Sequence, residues 1–340
     1  MAFWKEQRRV TSRLVMALWA IVCSFSAGAQ KMEKGFVLRK EKGENKVAIT
    51  LDGKPFTAFL YPDSLEKPVL YPLHAAGGQS VTRGFPLQPE PGDPVDHPHH
   101  IGLWFNYENV NGLDFWNNSF AIPAERKPRY GWVKTDSILQ LKSGATGTLA
   151  YSARWEDIHQ NLLLKERTTY RFQAAGNRRI IDRVTTLTAA QDVVFNDVKD
   201  GLIALRIARR LQLPAHKKDS LSTGNYLSSR GIEGDSVWST RASWCLLYGK
   251  LEADSISIAI IDHPSNPGYP TYWHARGYGL FAANPLGQKV FSKGADSLQL
   301  GLPKGKSVTF RYRVVLDSGK ERMRTPAVEK LAKEFARKPE

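Results

Sequence analysis

A two-residue rhythm of apolar and polar side chains runs through this chain and limits what it can fold into. Val47, Ile49 and Leu51 alternate with polar residues, Asp52-Gly53 interrupts, and Phe56, Ala58 and Leu60 resume. A strand sends successive side chains to opposite faces, so each run buries one face, and Asp-Gly between two runs marks a two-residue hairpin. The rhythm returns at Leu149, Tyr151, Ala153 and Trp155, then over residues 162–172 and, after the turn pair Gly176-Asn177, over residues 178–187. Ile256, Ile258, Ile260 and residues 308–316 extend it. Many short strands separated by Gly and Pro predict an all-β protein built as a large antiparallel β-sandwich. One helix is predicted at the C-terminus. Thr325 can cap it, Pro326 suits its first turn, and Val328, Leu331, Ala332 and Phe335 share a face that would cover a sheet face or edge.

Residues 1–29 read as an export leader. Lys5, Arg8, Arg9 and Arg13 precede an apolar stretch over residues 14–22, and Ala27-Gly28-Ala29 offers a small-x-small cleavage site. That stretch is shorter than the roughly 20 apolar residues of a membrane span. Cleavage is therefore expected before Gln30, leaving residues 30–340 as a single periplasmic or secreted domain without a membrane span. An uncleaved anchor and a lipoprotein through Cys23 are weaker alternatives, the second because Val22 is not small. Cys245 would be the one remaining cysteine, which excludes an intramolecular disulfide. Set in Trp244-Cys245-Leu246-Leu247-Tyr248, it reads as a packed thiol. The formal charge of +15 suits an acidic polysaccharide. Nucleic acid is not expected as a partner, since the basic residues are scattered and the chain is exported. Nothing in the sequence bears on oligomeric state.

Four motifs stand out against this framework. The stretch Pro86, Pro89, Pro91, Pro94 and Pro98 makes a stiff irregular loop. It leads into Asp96-His97-Pro98-His99-His100, which gathers three of the eight histidines. In an extended segment His97 and His99 would face one way and His100 the other. Such imidazoles can contact sugar hydroxyls, transfer protons near neutral pH, or bind a metal, and one could simply brace the turn. Next, Asn109-Val110-Asn111-Gly112-Leu113-Asp114-Phe115-Trp116 sets a carboxylate and amides beside flat rings, the combination that sugars stack on. Asn196-Asp197-Val198-Lys199-Asp200-Gly201 then holds two carboxylates and an ammonium, with Asp197 and Lys199 on one face if extended. Last, Asp262-His263-Pro264 leads through a Pro-rich loop to Tyr272-Trp273-His274-Ala275-Arg276-Gly277-Tyr278 and Asn284-Pro285. His274 and Arg276 share a face there if that piece is a strand. Arg83 and the mid-strand Glu166 join the candidates, Glu166 either as a base or as the cross-strand partner of an arginine. His74, His159 and His216 stand alone and read as structural or exposed.

Together, residues 80–84, 96–105, 111–116, 197–201, 273–280 and 284–287 resemble the PmoA-like family, exported bacterial proteins of unassigned function. The resemblance runs from about residue 56 to 316. Where that family prefers Glu, this chain has Asp200, one methylene shorter. The label comes from a methane oxygenase subunit embedded in the membrane, a role that a chain without a spanning helix does not fit. The resemblance implies a galactose-mutarotase-like supersandwich that binds carbohydrate across a large sheet, often with a His acid and a carboxylate base.

The expected function is that of a carbohydrate-active enzyme working by general acid–base chemistry, as a hydrolase, lyase or epimerase. His99, His100 and His274 would serve as acids, and Asp200, Asp114 and Glu166 as bases. Arg83, His97, Asn111, Lys199, Arg276, Tyr278 and Asn284 would hold a sugar or glycan against Trp104, Trp116 and Trp273. No cofactor is expected. A divalent metal on His97, His99 and His263 is one alternative, and a non-catalytic glycan-binding protein is another.

Overall fold

The computed structural model describes residues 34–337 apart from 217 and 218. The leader, its cleavage site and Cys23 lie outside the described residues. Strands dominate: β1 (Phe36–Lys40), β2 (Lys46–Leu51), β3 (Lys54–Leu60), β4 (Val69–Leu70), β5 (Leu103–Tyr107) and β6 (Trp132–Lys142). There follow β7 (Gly147–Glu156), β8 (Leu162–Ala175), β9 (Arg178–Ala189), β10 (Val193–Phe195), β11 (Gly201–Arg206) and β12 (Asn225–Ser228). The last are β13 (Trp244–Leu251), β14 (Asp254–Asp262), β15 (Tyr272–Arg276), β16 (Leu280–Asn284), β17 (Leu300–Leu302) and β18 (Ser307–Gly319). A short α1 (Gln288–Phe291) and the terminal α2 (Thr325–Ala336) are the α-helices among the described residues.

One sheet runs β1-β2-β3-β4-β5-β11-β16-β15 and the other β12-β13-β14-β18-β9-β8-β7-β6, while β10 and β17 form a separate ribbon. Neighbouring strands pair antiparallel throughout, as the short turns between alternating runs require. The expected β2–β3 hairpin is present, with Asp52 and Gly53 at positive φ in its turn. Gly is common at such positions and Asp tolerates them.

The two sheets face each other across one apolar core. Phe36, Phe59 and Phe105 from the first sheet meet Phe172, Tyr151 and Phe310 from the second, with ring centroids 6.1, 4.6 and 5.9 Å apart. Each such side chain contributes on the order of 1.5–3 kcal/mol by leaving water. Cys245 is fully buried in this layer, as expected, and burial holds its thiol well above the ordinary range.

Glu166 also lies inside this core and is not a site residue. Its carboxylate accepts bonds from Tyr151 (2.7 Å), Trp155 (2.8 Å), Thr168 (2.6 Å) and Arg183 (2.9 Å). The arginine reading of the sequence therefore prevails over the base. A mid-strand carboxylate on the inner face can stay there only if it is fully bonded.

The strands β13, β14 and β18 are apolar on both faces, which leaves Leu246, Ala259, Ile261 and Val315 to be covered from outside. Val328, Leu331 and Phe335 of α2 cover them. The helix begins one residue earlier than expected. Arg324 occupies the cap position without a side-chain hydrogen bond, so Thr325 is the first helical residue rather than the cap. No helix among the described residues is long and apolar enough to cross a membrane.

Candidate active site

The outer face of the first sheet is covered by loops and by the short α1, whose Phe291 lies 5.5 Å from the Tyr272 ring and 5.9 Å from the His274 ring. Register puts Trp104, Ala204, Ala282 and His274 in one row across β5, β11, β16 and β15. Glu108 and Asp200 follow at one end of these strands, joined by hydrogen bonds and with Asp200 3.3 Å from His274, and the same parity puts Arg206 and Arg276 at the other end. The loops before β5 and between β15 and β16 rise at the arginine end, and those after β5 and before β11 at the carboxylate end.

At the arginine end, residues 96–100 form a turn rather than an extended segment, with the His100 N–H donating to the His97 carbonyl and His97 at φ 46°. All three imidazoles therefore gather, 4.3 Å apart for His99 and His100 and 5.7 Å for His97 and His99. Trp104, His100, His97 and Tyr278 stack in sequence with centroids 5.2, 4.8 and 5.0 Å apart. Thus the histidine triplet and the β15–β16 turn, far apart in sequence, meet. The chain enters β5 through Gly102, where a Cβ would lie 2.3 Å from the Leu70 carbonyl oxygen.

Arg83 braces this turn from beneath and is not available to a substrate. Its fully buried guanidinium donates to the carbonyls of Phe85, Pro94, Asp96, His97 and His100 and to the Asp96 carboxylate. Arg206 shares Asp96 Oδ1 at 2.6 Å and reaches His100 Nδ1 at 3.3 Å. The other oxygen of Asp96 lies 2.6 Å from His97 Nδ1. Burial alone would raise the Asp96 carboxyl, but the His97 bond and Arg206 take it far below the usual range. An ionised carboxylate on Nδ1 orients His97 and leaves its Nε2 facing outward.

At the carboxylate end, Glu108 and Asp200 bridge β5 and β11. The Glu108 N–H donates to the Asp200 carbonyl, and the Asp200 N–H donates to Glu108 Oε2 at 3.2 Å. Burial and then the Asp200 charge push Glu108 up to about 7. Burial likewise raises Asp200, against the pull of Lys199 at 3.6 Å. Asp200 Oδ1 lies 3.3 Å from His274 Nδ1, within ion-pair range but outside hydrogen-bond geometry, so that nitrogen has no hydrogen-bond partner. Burial, with Lys199 and Arg276 nearby, pushes His274 down to about 3. Asp114 caps its own turn, accepting from the N–H groups of Trp116 and Asn117, and burial raises it. His99 is pushed down to about 2, first by burial and then by the Lys67 charge. Burial also holds His100 well below the ordinary imidazole range.

Other expected residues sit elsewhere or do other work. Trp273 alternates with His274, so its ring points into the inter-sheet core and donates to the Ala242 carbonyl. Trp104 and Trp116 do lie under the site, but both are 0% exposed beneath His100, so neither offers a stacking surface. Asn111 turns the chain at φ 52° and ties it to Asp192 and Val194 at the exposed end of β10. Asn284 is a buried clamp on the carbonyls of Val198 and Lys199. Residues 196–200 form a loop rather than a strand, and Asp197 binds the N–H groups of Lys289 and Leu298. His263 packs against Phe335 of α2 on the other sheet, so the set His97, His99 and His263 does not assemble. Among the described residues no three metal-ligating side chains gather as a metal-binding group.

Residues 46–333 match the family of unknown function DUF6807. The chain belongs to that family. The PmoA-like label read from the motif blocks is not the one this match returns. No curated protein matches. Among solved structures, a GH36 alpha-galactosidase, AgaB from Geobacillus stearothermophilus, is 12% identical with a TM-score of 0.42, over 84% of this chain and 41% of that one. An alpha-galactosidase from Lactobacillus brevis is 9% identical with a TM-score of 0.38, over 84% and 39%. A protein from Synechocystis sp. PCC 6803 is 9% identical with a TM-score of 0.34, over 85% and 97%. The DUF6807 chain thus spans about two-fifths of the length of the galactosidases it is similar to.

Two residues of this DUF6807 site escaped the sequence reading. Glu108 carried a signal: it continues the alternation Trp104, Asn106 beyond the end of β5. Lys67 carried none, because Glu66-Lys67-Pro68 reads as surface charge before a turn. It is 3% exposed, its Nζ lies 5.7 Å from the Trp104 ring, and burial pushes it down to about 8 although Glu66 and Asp114 oppose this.

Proposed function

We propose that this is an exported carbohydrate-active enzyme, with residues 30–340 as one domain, that moves protons on a sugar or glycan fragment. The observation that carries the reading is the Asp200–His274 pair, buried and 3.3 Å apart, beside a Glu108 whose carboxyl is poised near neutrality. A general acid or base works best when its pKa lies near the working pH. Glu108 fits as the acid, Asp200 with His274 as a coupled base, and His97 as a second imidazole held by Asp96. Hydrolysis, elimination and epimerisation each draw on such an inventory.

The three rings expected to stack on a sugar in a binding-only role, Trp104, Trp116 and Trp273, are all fully buried. The ionisable cluster therefore supports catalysis over passive binding.

The test is turnover on a panel of methyl hexosides and methyl hexuronides, followed by proton NMR in deuterated buffer. Asp200→Asn and His274→Gln should each lower turnover about 10²–10⁴-fold, with substrate affinity changed only a few-fold. Unchanged turnover in both variants would remove this reading.

A further inference from the structure

Arg276 and Tyr278 also line a second cleft, of about 600 Å³, beside the histidine stack. That volume suits one or two sugar rings. Its polar groups are mostly donors without acceptors. The Arg276 guanidinium rests against the rings of Trp238 (5.3 Å) and Tyr278 (5.9 Å), and among the described residues it makes no hydrogen bond or ion pair. Two rings thus position it while all five N–H groups stay free. Gln212 is 5% exposed, yet its Nε2 has no partner, and the buried Trp238 Nε1 has none either. Buried donors without acceptors are rare in folded proteins, and several converging on one cleft point to a missing acceptor. Arg209, the other guanidinium in the wall, is already held by Asp219 at 3.0 Å. One carboxylate, Asp235, lies in the lining, where Oδ1 accepts from the Gly277 N–H at 2.8 Å. Its second oxygen can accept from a hydroxyl, so the complement of this wall is an anion that also carries hydroxyl groups.

We propose that this cleft is the subsite for the carboxylate of a uronic acid. Arg276, Gln212 and Trp238 hold the carboxylate, and Asp235 takes a ring hydroxyl. The sugar extends past Tyr278 toward His97 and His274. The proposal rests on the carbohydrate reading above and names its substrate class. The excess of basic over acidic residues in the chain acts in the same direction.

The test is a titration of the full folded protein with methyl glucuronide, methyl galacturonide, methyl glucoside, glucose 6-sulfate and inorganic sulfate. The indole N–H resonance of Trp238, assigned with Trp238→Phe, is the reporter. Uronides should shift it and bind at least tenfold more tightly than the neutral glucoside. Arg276→Gln should erase that preference, Arg276→Lys should keep part of it, and Gln212→Leu should weaken uronide binding severalfold. Equal affinity for acidic and neutral sugars overturns the proposal, as does a uronide preference that survives Arg276→Gln. Tighter binding of inorganic sulfate than of any uronide overturns it in favour of a simple anion site. Turnover of neutral hexosides without any uronide preference would sink the subsite and leave the enzyme reading standing. Uronide binding here with turnover unaffected by Asp200→Asn and His274→Gln would do the reverse.

Discussion

Burial and the neighbouring Asp200 carboxylate push Glu108 up to about 7, from an ordinary 4.5. The folded chain therefore keeps a proton that the unfolded chain releases above pH 4.5. Stability from this group is complete below pH 4.5 and is lost as the pH rises to about 7. Glu108→Gln keeps the neutral shape and cannot ionise. Its melting temperature should match that of the parent near pH 4 and exceed it near pH 8, by differential scanning calorimetry. A difference independent of pH would show that Glu108 is an ordinary surface acid. If Glu108 is the acid of the reaction, parental turnover also declines above pH 7. At this scale the sequence exposed the kinds of residue more readily than their roles. The histidines, Asp200 and Arg276 stood out because their motifs are dense. Trp273 and His274 are neighbours, and only strand parity, which a one-residue slip would invert, decides which one enters the site. Lys67 has its place because β4 pairs with β5, a contact that nothing local announces.

The turn at residues 96–100 is the element on which the arrangement of the site hangs, and Arg83 holds it. Arg83→Met removes donors from five backbone carbonyls and from Asp96 at once. The expected loss is about 3–5 kcal/mol in urea denaturation, the scale for breaking a buried charged partnership. Turnover should also fall, because the His97–His100 stack loses its support. A loss below about 1 kcal/mol, the range of exposed pairs, would mean that the loop holds itself. Regular elements were the most legible part of the molecule. The hairpin at Asp52-Gly53 and the apolar stripe of α2 follow from local chemistry. The extended reading of residues 97–100 failed because a buried arginine, distant in sequence from the strands that follow, dictates the turn.

For the whole molecule, the packing of the two sheets involves a buried ion pair as well as apolar side chains: Glu166 and Arg183 pair within the second sheet, and the Arg183 guanidinium lies 4.5 Å from the Phe105 ring of the first. Glu166→Ala strands Arg183 in the core and should cost about 3–5 kcal/mol, read as a lower denaturation midpoint. The folded variant should keep its turnover, since Glu166 lies between the sheets and the site lies outside them. Lost turnover at unchanged stability would return Glu166 to the site.

Cys245 is the described chain's lone sulfhydryl, and its strand lies sealed between the layers. In an oxidising compartment a solitary thiol invites cross-linking between copies. Here the reactive atom meets an oxidant only after the sandwich has come apart. Intact molecules stay separate with respect to this sulfur, and covalent pairing marks those that have already unravelled.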